Sequence, residues 1–189
     1  AKVHWVGTSM GGAIGTLAAA TRLRGRIRRL VLNDNGPELA APALVRIQSY
    51  AGQPPSFLTV SELETYFRDI YASFGTLSDA QWRHLTETSL RRLPGGRVAT
   101  HYAPALGAQF EHHPDDYLLW HAWDQLDLPV LCLRGEDSTL LTADTAQAMR
   151  ERGPRAAVAL IPGCGHAPAL NTPEQVGLIE RFLQVDRTP

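Results

Sequence analysis

The chain has 189 residues, enough for one domain with a sizeable core and too few for two of ordinary size. Its 44% hydrophobic and 20% charged residues are those of a soluble globular protein, and a net charge of -1 argues against nucleic-acid or anionic-membrane partners. No apolar run approaches the roughly 20 residues that cross a bilayer and nothing reads as a signal peptide, so a cytoplasmic protein is expected.

The first predicted element is a strand through Val3-His4-Trp5-Val6, which runs into Gly7-Thr8-Ser9-Met10-Gly11 and then a small-residue helix over about 10–23. A Gly-x-Ser-x-Gly turn between a strand and a helix is the setting a nucleophilic serine needs, because a tight turn pushes Ser9 out at the strand end. Side chains at Gly7 and Gly11 are expected to collide with neighbouring backbone. The turn also sets Ser9 at a helix N-terminus, where the Met10 N–H leads the donors facing a developing oxyanion. The arginine-rich stretch 21–29 lacks interleaved aromatics and reads as a solvated helix end, with Gly25 as its stop. Leu30-Val31-Leu32 is a second buried strand, closed by Asn33-Asp34-Asn35-Gly36-Pro37. Strand, helix and strand make a right-handed parallel unit.

Residues 38–123 change character and read as a helical insertion, between core segments 1–37 and 124–189. Leu63, Phe67, Ile70 and Phe74 recur at helical spacing behind a candidate capping box, Ser61 and Glu64. A second helix starts at Ser78 and Gln81, carries Trp82, Leu85 and Leu93, and stops at Pro94-Gly95-Gly96. The aromatics Phe57, Tyr66, Tyr71, Trp82, Tyr102 and Phe110 are read mainly as packing. His112-His113 could suggest a metal, yet no cysteine or helical i, i+4 partner supports one, and it reads as a solvated loop.

The α/β pattern resumes with a strand at 129–133, a helix over 142–152 and a strand at 156–161. A closing helix over 173–183 has Thr172 as its N-cap and Pro173 in first position. Cys132 and Cys164 are too few for a disulfide framework and are expected as free thiols. All four strands end on one edge of a parallel sheet, where such folds place their sites. Loops at that edge bring Ser9, then Asp34 or Asp137, then His166, in the order nucleophile, acid, base. Serine at its ordinary pKa needs an adjacent base, and the base needs an orienting carboxylate. His166, in Gly-Cys-Gly-His-Ala-Pro, suits that role.

These motifs, with Leu-Val-Leu-Asn-Asp and Arg-Gly-Glu-Asp-Ser, resemble the α/β-hydrolase family. The resemblance implies an α/β fold with a parallel sheet under a cap. It also implies a cofactor-independent serine hydrolase of small esters that uses Ser9, His166 and an aspartate, with the Met10 N–H as oxyanion donor. C–C bond and lactone hydrolysis use similar residues on this fold. Many members carry the acid three residues after the glycine ending the third strand, where this chain has Ser138, with Asp137 one place early. Others carry it after the preceding strand, where this chain has Asp34, and Asp34 is favoured. Complete members have further strands before the serine turn. The reading is therefore of a partial chain whose first strand is open to a missing N-terminal segment, with a homo-oligomer as the other partner expected, and a truncated, non-catalytic remnant or binding module is the rival.

Overall fold

The computed structural model describes residues 2–51, 54–113 and 115–184. Four parallel strands form the central sheet: β1 (Val3–Thr8), β2 (Ile27–Asn33), β6 (Val130–Gly135) and β7 (Ala157–Ile161), in the order β1-β2-β6-β7. Register runs Thr8 beside Asn33 and Asn33 beside Leu133, so the C-terminal ends align along one edge. The apolar runs at 30–32 and 130–133 are buried throughout, as strands covered on both faces must be.

One face is covered by α1 (Met10–Ala20), α6 (Trp120–Trp123) and α7 (Ala143–Glu151), whose Ala19, Trp123 and Met149 pack with Leu30, Leu32 and Cys132. The other face is covered by α8 (Pro173–Gln184), which sets Leu178, Ile179 and Phe182 on Val31, Leu133 and Ile161. Thr142 caps α7 by accepting from the Thr145 N–H at 3.1 Å, and Thr172 accepts from the Gln175 N–H at 3.3 Å. α1 stops at Ala20, earlier than its composition suggests, and turns unwind to Gly25 at φ 72°.

The chain between β2 and α6 holds α2 (Ala41–Ala51), β3 (Ser56–Phe57), α3 (Val60–Ile70), α4 (Asp79–Ser89), β4 (Leu90–Arg92), β5 (Val98–Thr100) and α5 (Ala108–His112). This insertion is not purely helical, because β3, β5 and β4 form a small antiparallel sheet against Leu63 and Phe67. Leu93 lies outside α4. Pro94-Gly95-Gly96 is a hairpin turn between β4 and β5, closed by Leu93 N–H on Arg97 O at 2.8 Å, rather than a helix stop. The capping box of α3 is Thr59 with Glu62, not Ser61 with Glu64. The helix starts two residues earlier than Ser61 as N-cap would allow, which leaves Glu64 to pair with Arg68 at 2.7 Å. Ser78 and Gln81 do form the box that starts α4. Phe57, Tyr66, Phe67, Tyr71 and Phe74 make a run of ring contacts, and the side chain of Phe110 lies outside the described residues.

β1 is an edge strand, and Val3 and Val6 on it are 46% and 47% exposed. Met10, Ile14 and Leu17 of α1 are exposed as well. Among the described residues no helix is long and apolar enough to cross a membrane.

Candidate active site

Ser9 stands between the last residue of β1 and the first of α1, with φ 51° and ψ -120°. Few non-glycine residues adopt such a backbone, and it costs on the order of 1–3 kcal/mol that the surroundings must over-determine. They do. The Ser9 N–H extends the ladder to Asn33 O at 3.0 Å, and Ser9 O accepts from the Gly12 N–H at 2.8 Å. The turn closes so tightly that a Cβ on Gly7 would stand 2.3 Å from Gly11 O. A Cβ on Gly11 would meet nothing within 4 Å, so the expected collision there does not arise. The close approach is between the Gly7 α-carbon and the Gly11 backbone, and only the former position needs glycine sterically.

The Ser9 Oγ lies 2.9 Å from His166 Nε2, and His166 Nδ1 lies 2.7 Å from Asp34 Oδ2. Asp34 follows the last residue of β2, is fully buried, and has φ 51°. Its Oδ1 accepts from the Gly135 N–H at 2.9 Å, and its Oδ2 also accepts from the Ser138 hydroxyl at 2.6 Å. Ser138 Oγ in turn accepts from the N–H groups of Leu140 and Leu141, at 3.3 and 3.1 Å. With both lone pairs taken, its proton is committed to Asp34. An ionised Asp34 can only accept, so His166 carries its proton on Nδ1 and presents a bare Nε2 to the Ser9 hydroxyl.

Asp137, the other candidate acid, is not brought into this arrangement. Both ring nitrogens of His166 are engaged by Asp34 and Ser9, while Asp137 is exposed and uses its backbone N–H to hold Cys164 O at 2.9 Å. Met10 is the first residue of α1, so its N–H belongs to the helix's unpaired first turn. Burial first, and the Asp34 carboxylate second, push the Cys132 thiol up. Cys164 is pushed up by burial and by the carboxylates of Asp137 and Asp34. Both thiols are free and buried. His112 and His113 are exposed, and Pro114 beside them lies outside the described residues.

Asn35 and Ser138 belong to the arrangement although sequence reasoning gave neither a role in it. With its amide oriented to satisfy both ends, Asn35 donates to Ser9 O at 3.3 Å and accepts from the N–H groups of Ala13 and Gly36, at 3.1 and 3.2 Å. Only the position of Ser138 gave any signal, since it occupies the place where a carboxylate is common. A cavity of about 540 Å³ opens beside the site, lined by Thr8, Asn33 and Ala167, each a chain neighbour of Ser9, Asp34 or His166, and by Phe74 and Leu77 of the insertion. A larger one, about 620 Å³, lies between Glu38, Leu44, Trp120 and the start of α7, and has none of these neighbours in its wall.

The model of the alpha/beta hydrolase family matches residues 1–177. A 3-hydroxybutyrate-oligomer hydrolase of Cupriavidus necator is 36% identical over 191 aligned residues, which cover 96% of this chain and 65% of that protein. An alpha/beta hydrolase structure from Novosphingobium aromaticivorans superposes with a TM-score of 0.81 at 34% identity, covering 95% of this chain and 64% of its own. A Rickettsia typhi structure gives 0.84 at 30% identity, covering 95% and 62%. The chain thus spans slightly under two thirds of the length of these relatives. By the family match over most of its length, this chain belongs to the alpha/beta hydrolase family.

Proposed function

We propose that the chain carries the reacting groups of a serine hydrolase whose nucleophile is Ser9, whose base is His166 and whose orienting acid is Asp34. The observation that supports this most is the unbroken chain of hydrogen bonds from Ser9 Oγ through both imidazole nitrogens to a buried carboxylate. In this reading Ser9 Oγ attacks an ester carbonyl as its proton passes to His166 Nε2. The carbon–oxygen bond breaks and the alcohol leaves with that proton, leaving an acyl group on Ser9. Water then gives one proton to His166 and its hydroxide to the acyl carbon, and the acid departs as Ser9 regains its proton. The Met10 N–H supplies one oxyanion donor at the start of α1. The insertion acts as a cap that shapes the substrate space.

The substrate class proposed is a short ester of a hydroxy acid, on the likeness to the hydrolase of 3-hydroxybutyrate oligomers. The cavity of about 540 Å³, with an apolar wall from Phe74 and Leu77 and polar groups from Thr8 and Asn33, suits a small aliphatic ester. The test is hydrolysis of the 3-hydroxybutyrate dimer and of p-nitrophenyl acetate, with and without Ser9→Ala. The expected result is turnover that falls by about a thousandfold or more in the variant, together with loss of fluorophosphonate labelling. Turnover that persists in Ser9→Ala would remove Ser9 from the mechanism.

A further inference from the structure

The loop that carries His166 has little support of its own. It leaves the end of β7, an edge strand, and runs without regular structure to α8, passing Gly163 and Gly165. The backbone groups that bracket the imidazole are bound instead by one residue of the insertion. The Gly165 N–H donates to Ser73 O at 2.7 Å, and the Ser73 hydroxyl donates to His166 O at 2.7 Å. Gly165 sits so near that a Cβ on it would stand 3.0 Å from the Cβ of Ser73.

The same strand of contacts continues along the loop. Ala169 N–H donates to Phe74 O at 3.0 Å, and Asn171 Nδ2 donates to Thr76 O at 2.9 Å and to Gln81 Oε1 at 3.3 Å. The core's own bonds, from Asp137 N–H to Cys164 O and from Asn33 Nδ2 to Pro168 O, are both 2.9 Å long and land two residues to either side of His166. The histidine's carbonyl and the Gly165 N–H just before it are therefore held from the insertion, not from the sheet.

We infer that segment 73–76 of the insertion positions His166 for the chemistry, with Ser73 as the positioning residue. This rests on the reading of His166 as the base. It makes the distance from Ser9 Oγ to Nε2 depend on where the insertion sits, so that a ligand filling the cavity walled by Phe74 and Leu77 also bears on the alignment of the imidazole.

The experiment compares the full chain with Ser73→Ala, Ser73→Thr and the double variant Ser73→Ala/Asn171→Ala. Three quantities are read: the second-order rate of Ser9 labelling by a fluorophosphonate, the thermal midpoint, and the low-field proton signal of His166 Nδ1, identified by its loss in His166→Gln. Ser73→Ala is expected to slow labelling about fivefold and broaden the Nδ1 proton with the midpoint nearly unmoved, because the bond is solvent-exposed and acts on alignment more than on folding. Ser73→Thr, which keeps the hydroxyl, is expected to stay within about twofold of the parent. Labelling at the parental rate with a sharp, unshifted Nδ1 proton in both Ser73→Ala and the double variant would overturn the proposal. If the parent chain is not labelled at all, the serine-hydrolase reading fails, and the Nδ1 proton alone decides whether Ser73 positions the ring.

Discussion

Asp34 is enclosed completely, and its two oxygens meet three donors: the Gly135 N–H, the Ser138 hydroxyl and His166 Nδ1. An amide in its place would turn an accepting atom into a donor and leave one of these partners facing a like group. Asp34→Asn is therefore expected to lower ester turnover by about a thousandfold or more and to lower stability as well, read by steady-state kinetics and urea unfolding. Asp137→Asn, at the surface, is expected to change turnover by less than about twofold. The sequence left both aspartates open for a physical reason. β2 and β6 are neighbours in the sheet, so the loops after them open at the same edge within reach of one histidine. What separates them is backbone direction. Asp34 turns back at φ 51° straight after β2, whereas Asp137 spends its N–H on Cys164 O and sends its side chain outward. No pattern of residue types carries that information.

At the scale of elements, local chemistry was legible and non-local pairing was not. The periodicity of Leu63, Phe67 and Ile70 marks α3 because a helix reports its own buried face. Its start was misplaced by two residues because Thr59 with Glu62 and Ser61 with Glu64 both satisfy the capping pattern, and only the first has its reciprocal bonds. Thr59→Ala is accordingly expected to cost about 1 kcal/mol of stability, and Ser61→Ala less than about 0.5 kcal/mol, measured by denaturant unfolding with turnover unchanged. The strands β3, β4 and β5 were invisible because each has at most three residues; β3 pairs far along the chain, Ser56 with Ala99, and β4 and β5 pair with each other across a short hairpin whose Pro94-Gly95-Gly96 also reads as a helix stop. A two-residue strand has too few positions for an alternation to show.

For the molecule as a whole, a parallel sheet of four strands was legible in apolar runs separated by crossover helices, and the structure arranges them in the order β1-β2-β6-β7. The sheet is also unevenly covered, in keeping with the expectation that its first strand is open to a further segment. Val31, Leu32 and Leu133 are fully buried, but Val3 and Val6 on β1 are about half exposed, and so are Ile14 and Leu17 of α1. An apolar strand with an open hydrogen-bonding edge invites association with another chain or another strand. We propose that this edge of β1 pairs with additional polypeptide or with a second copy. Val6→Lys is expected to raise the concentration at which the chain stays monodisperse in sedimentation, at a stability cost within about 0.5 kcal/mol, since the position is already half solvated.

The carboxylate at Asp34 stitches the end of β2 to the turn after β6 and to the histidine loop, so folding alone gives a reason to keep it. Ser9 is different, for among the described residues its side chain bonds to His166 and to nothing else. In a lineage drifting away from turnover, an acid at 34 would survive as masonry while the hydroxyl at 9 was free to vanish. Comparing those two positions across descendants therefore separates selection for shape from selection for chemistry.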